Sequence, residues 1–146
     1  MMKLQVTSPA FGNHEPIPER YTSDGENINP PIEISGIPDG TKSLAIIVDD
    51  PDAPRKTWVH WVVWNIPVVT KIYESNVPGV QGMNDMMQHN YGGPAPPSGT
   101  HRYFFKVYAL DSRLDIPQNS RKEDLEKAME GHVLATGQLV GTYSRG

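Results

Sequence analysis

Ser43-Leu44-Ala45-Ile46-Ile47-Val48-Asp49-Asp50 decides the fold class. Five consecutive apolar residues, three of them β-branched, form a run too short for a helix and too apolar for a half-exposed strand. The run therefore predicts a strand covered on both faces, ended abruptly by two aspartates. Two further strands follow from the same logic. His60-Trp61-Val62-Val63-Trp64-Asn65-Ile66 alternates so that His60, Val62, Trp64 and Ile66 share one face and Trp61, Val63 and Asn65 the other. Tyr103 to Leu110 places Tyr103, Phe105, Val107 and Ala109 on one side and Phe104, Lys106 and Tyr108 on the other. Fourteen prolines and thirteen glycines cut the rest of the 146 residues into short pieces, so the class is mainly β.

One helix is expected, opened by Ser120 as cap with Glu123 three residues on, carrying Leu125, Ala128, Met129 and His132 on one face and stopping at Gly131. Val133 to Val140 then resumes as a final extended segment. The stretch from Tyr73 to Thr100 has no period and is too long for an idle connector, which marks it as a wall of a site. No repeat or linker divides the chain, and its length suits one domain spanning residues 1–146.

Composition removes several function classes. Without cysteine there is no disulfide, thiolate metal site or cysteine nucleophile. The opening residues turn polar at once, and no stretch approaches the roughly 20 apolar residues of a membrane span. A soluble cytoplasmic protein without integral membrane association is the expectation. The net charge of −4, with scattered Lys and Arg, argues against nucleic acid as a partner.

The candidate site lies where the strands end. Asp50-Pro51-Asp52-Ala53-Pro54 holds two carboxylates on a turn stiffened by two prolines, and Ala53-Pro54 is expected to be cis. His60 and His101 each open an apolar strand, so pairing of those strands would bring both imidazoles to one pocket beside Asp50, Asp52 and Tyr103. Three chemistries are open to such a set. Imidazole N–H groups and the Tyr103 hydroxyl could bind a phosphate or carboxylate, with the aspartates orienting imidazole or receiving an amine. Two His and two Asp could hold zinc or manganese, but no His-Glu-x-x-His spacing is present, so no metal or other cofactor is expected. An Asp-His pair could serve a hydrolase, yet the nearest serine, Ser98, sits in no Gly-x-Ser-x-Gly elbow. Each residue alone also has a bland explanation as a strand cap or a satisfied turn residue. The ensemble favours a site, because two His and two Asp buried together without a ligand or water would be costly to satisfy.

Asp50-Pro51-Asp52-Ala53-Pro54, Trp58 and His60, Pro96-Pro97-Ser98-Gly99-Thr100-His101-Arg102-Tyr103, and Asp24-Gly25-Glu26-Asn27 with Pro30-Pro31 occur in an order that resembles the phosphatidylethanolamine-binding protein family. The likeness is strongest to its bacterial and archaeal branch, often labelled Raf-kinase-inhibitor-like. The resemblance implies a large central antiparallel sheet packed on a smaller one, with one or two short helices and a small anion pocket at the sheet's end. It further implies that Asp50, His60, His101 and Tyr103 line the pocket, that Asp52 and Pro54 shape its turn, and that Gly93 lets a loop backbone approach the anion. Members are described as non-enzymatic binders of phosphate-bearing headgroups and as regulators of kinases or proteases. The expected partners are thus a small anionic or phosphorylated ligand, a serine protease or kinase inhibited through the 73–100 loops, and a second copy in a homodimer. An uncharacterised hydrolase is the remaining alternative.

Overall fold

The computed structural model describes residues 2–76 and 79–145. Ten strands are present: β1 (Met2–Lys3), β2 (Gln5–Thr7), β3 (Glu15–Pro16), β4 (Ile32–Ser35), β5 (Ser43–Asp50), β6 (Trp58–Ile66), β7 (Lys71–Ile72), β8 (Val80–Gln81), β9 (Gly99–Leu110) and β10 (Val133–Arg145). The large sheet runs β1-β10-β9-β5-β6-β8, with β3 also on β10, while β2-β4-β7 form the smaller sheet. Its centre, β10-β9-β5-β6-β8, is antiparallel as expected, and β1 and β3 add short parallel pairings to β10, which makes the sheet mixed at that edge. Both parallel partners are two residues long, pairings that add little to the ladder but cover the outer edge of β10.

β5 is buried along its whole length, as its composition requires. Leu44, Ile46 and Val48 join the core shared with the smaller sheet, whereas Ala45 and Ile47 pack on the side that α1 (Lys122–Met129) covers through Leu125 and Met129. β9 alternates as its sequence predicts: Tyr103, Phe105, Val107 and Ala109 enter the first core, and Tyr108 packs against the second.

β6 departs from simple alternation at two places. Ile46 pairs with Val63 and Leu44 with Ile66, leaving one extra residue on β6; Asn65 lies there at φ +55°, a value asparagine tolerates. Its side chain exchanges hydrogen bonds with Leu114 at 2.8 and 2.7 Å, and Ile66 moves to the face of Trp61 and Val63. Nearer the site, Val48 pairs with Trp61 and Asp49 with Val59, so His60 is the unpaired extra residue. This second bulge turns His60 away from the face of Val62 and Trp64 and towards Tyr103, on the opposite side. A period of two could not anticipate either change.

The helix starts one residue later than expected. Arg121 occupies the cap position and its backbone N–H donates to Asp124 at 2.9 Å, while buried Ser120 uses its own N–H and C=O in the loop, with Pro117 and Met83. His132 is exposed and pairs with Asp111 instead of sharing the buried face of Leu125 and Met129. Among the described residues no helix is long and apolar enough to cross a membrane.

Candidate functional site

β6 and β9, which carry the two histidines, do not pair with each other. β5 runs between them and contributes Asp50, so one cavity forms across the ends of three adjacent strands. It has a volume of about 360 Å³, with Asp50, His60, His101 and Tyr103 as its polar lining. Ala53 and Pro54 from the turn after β5, Trp58, and Met86 with Ala95-Pro96-Pro97 from the long loop supply apolar walls. Within the 73–100 stretch, of which residues 77 and 78 lie outside the described residues, Met86 and Ala95-Pro96-Pro97 thus form part of the cavity wall.

Each polar group on the floor is oriented by a specific neighbour. His101 Nδ1 lies 2.6 Å from Asp50 Oδ2, and Asp50 Oδ1 accepts the Asp52 N–H at 2.7 Å, an aspartate turn that fixes the carboxylate. His60 Nδ1 lies 2.6 Å from the Gly92 carbonyl oxygen, and the His60 carbonyl freed by the bulge accepts the Gly92 N–H at 3.0 Å. Burial pulls the His60 imidazole below its ordinary value, against the opposing pull of the Gly92 carbonyl and Asp50. Tyr103 sits between the two rings, edge-on to His60 at 5.3 Å and stacked on His101 at 6.5 Å between centroids. Its hydroxyl is buried with no hydrogen-bond partner among the described residues. Burial and then Asp50 push that phenol up; the Ala95 backbone N–H opposes the rise without reaching hydrogen-bonding geometry. A buried hydroxyl left unpaired costs about 1–3 kcal/mol, so this atom marks a place where a ligand or water belongs.

Other expected site residues act from behind the lining. Asp52 points away from the cavity and binds the start of β9, accepting from the Arg102 backbone N–H at 2.9 Å and from its guanidinium at 2.9 and 2.8 Å. Those hydrogen bonds hold its carboxyl down at about 2. Gly93 is off the lining: its N–H donates to Asn27 Oδ1 at 2.7 Å, and a Cβ there would stand 2.6 Å from both Asn27 Oδ1 and the Tyr21 carbonyl oxygen. Glycine is required at that point by close loop packing. Pro54 does line the cavity, but the Ala53-Pro54 bond is trans, as is every described peptide bond. The turn draws its shape from the Asp50 side chain bonded to the Asp52 N–H, and needs no cis bond for it.

Sequence reasoning missed the residues that hold the walls. Asn84 is buried, accepts the Met86 and Gln88 N–H groups at 2.9 and 3.0 Å, and donates to the Asn90 carbonyl at 2.8 Å, which folds the loop against β6. At the other wall, Arg145 near the end of β10 contacts Asp24, Ser23 Oγ and the Pro96 carbonyl, while Tyr143 donates to Asp24 at 2.8 Å. Ser23 donates to the Pro94 carbonyl from both its N–H and its hydroxyl at 3.0 Å. Asn84 is one polar residue among many in an irregular loop, and no local pattern singled it out. Arg145 and Asp24 are far apart in sequence, so no spacing rule joins them.

A mixed sheet with a small companion sheet thus ends in a cavity lined by two histidines, an aspartate and a tyrosine. Residues 7–144 match the family model for phosphatidylethanolamine-binding protein, and the chain belongs to that family. A UPF0098 protein of Methanothermobacter thermautotrophicus is 51% identical over 98% of this chain and all of its own length. Another, from Pyrococcus horikoshii, is 51% identical over 99% of this chain and 78% of its own. Among solved structures, a Chlamydia trachomatis protein described as a homologue of the family superposes with a TM-score of 0.95 at 41% identity, covering both chains fully. Escherichia coli YbcL, described as a member of the mammalian family, superposes at 0.91 with 32% identity over 99% of each chain.

Proposed function

We propose that the protein is a non-enzymatic binding protein whose cavity receives a phosphate-bearing or other oxyanionic head group. The Tyr103 hydroxyl, buried without a partner between His60 and His101, carries this reading, because it leaves a donor to be satisfied beside the cavity that those residues line. The apolar walls of Trp58, Met86 and Pro96-Pro97 suit an organic body attached to that head group.

Calorimetric and phosphorus NMR titration with phosphate, phosphoethanolamine and nucleotides tests it. Saturable binding is expected in the wild type and not in the His60→Ala, His101→Ala double variant. Equal affinity in a folded double variant, or no binding of any of these ligands to the wild type, overturns the proposal.

A further inference from the structure

The hydrogen-bonding character of the cavity floor can be counted atom by atom. The Gly92 carbonyl only accepts, so His60 Nδ1 carries a hydrogen, and a neutral His60 ring presents the lone pair of Nε2. The same holds for a neutral His101, whose Nδ1 faces the Asp50 carboxylate. Neither Nε2 meets a hydrogen-bond partner among the described residues, and both Asp50 oxygens are already used. Among the described residues the Tyr103 hydroxyl is a side-chain donor on the floor that is left unused.

The charges around the cavity are largely paired with one another. Asp49 projects to the other side of the sheet, where Lys106 and Lys122 hold it at 3.0 and 2.8 Å. At the rim, Asp52 is closed by Arg102 and Asp24 by Arg145. Among the described residues neither Lys nor Arg lines the cavity. At His60 a fully ionised phosphate would thus meet an imidazole lone pair with the Asp50 carboxylate nearby, and both are repulsive. An acidic hydroxyl on the ligand converts the contact with an imidazole lone pair into a hydrogen bond.

We infer that the pocket selects oxyacids that retain one ionisable proton, such as the monoanion of a phosphonate or phosphate monoester. That proton lies between a ligand oxygen and His60 Nε2, while Tyr103 donates to a second ligand oxygen. Burial of His60 keeps the imidazolium unfavourable, which leaves the proton on the ligand. The inference rests on the anion-pocket reading and specifies the form of the ligand that it takes.

Calorimetry of the intact protein with phenylphosphonate, inorganic phosphate and phenyl sulfate, each from pH 5 to 9 and in buffers of differing ionisation heat, tests the inference. Phenylphosphonate affinity is expected to fall about tenfold per pH unit above its second ionisation, with one proton taken up in that range. Phenyl sulfate, an anion without such a proton, is expected to bind about tenfold or more weakly below that ionisation and to show no such slope above it. Inorganic phosphate should share the slope; weaker binding than phenylphosphonate supports a monoester as the source, and equal or tighter binding supports free phosphate. Nitrogen NMR should find His60 neutral and protonated on Nδ1 with and without phenylphosphonate. A flat pH profile, equal binding of phenyl sulfate, or an imidazolium at His60 in the complex overturns the inference while leaving an anion pocket standing. Failure of all three ligands to bind sinks both.

Discussion

Asp49 and Asp50 are neighbours in sequence, both almost fully buried at the end of β5, yet they sit on opposite faces of the sheet in opposite electrostatic settings. Asp49 is held by two lysines from β9 and α1 and joins three elements. Among the described residues Asp50 contacts no lysine or arginine; it accepts from its own turn and lies 2.6 Å from His101 Nδ1, at a cavity whose tyrosine hydroxyl is unpaired. The first arrangement is complete without a ligand and the second is not. Burial of a carboxylate therefore does not mark a site by itself, whereas incomplete hydrogen bonding around it does.

The largest effect that would sharpen this contrast is expected at Asp49. Its replacement by alanine leaves two lysines without their shared partner and should cost about 3 kcal/mol in urea unfolding, the low end for a broken buried pair because both lysines can turn towards water. Asp50→Asn keeps an acceptor for the Asp52 N–H and should cost only about 1 kcal/mol by the same measurement. Equal losses would erase the distinction.

Tyr103→Phe is expected to raise stability by about 1 kcal/mol, because it removes a buried hydroxyl that has no partner, while weakening phosphate or phenylphosphonate binding. Destabilisation on thermal or urea unfolding would show that the hydroxyl is satisfied in the free protein and that the floor is complete after all.

The smallest effect belongs to the third carboxylate of the segment. Asp52 titrates near 2 in the fold, against 3.8 for an unperturbed carboxyl, so its contribution is present above about pH 3.8 and is lost as pH falls through about 2. Arg102 is half exposed, so solvent screening keeps this contribution under about 1 kcal/mol. The stability gap between wild type and Asp52→Asn should close on acidification from pH 5 to 2; a constant gap would mean that the pair contributes nothing through its charge.

Much of this arrangement is legible in the residues. The unbroken apolar run of β5 and the alternation of β9 specify a two-faced sheet, because side-chain direction along a strand depends only on parity. Asp50, His60, His101 and Tyr103 stand near strand ends, and in the fold all four line one cavity. The face of His60 was not legible, since the bulge that turns it exists only through its pairing with β5. Asp52 and Gly93 were assigned by motif to the pocket's neighbourhood, but the partners that define what they do, Arg102 and Asn27, come from other segments.

The sequence by itself determined a mainly β chain, its central strands and the chemical types gathered at their ends, because those follow from local composition and the two-residue period. Tertiary structure alone decided which carboxylate is neutralised and which faces the cavity, which way His60 turns, and that Tyr103 is left unpaired. Charge neutralisation and hydrogen-bond satisfaction depend on distances between segments far apart in the chain, and only folding sets those distances.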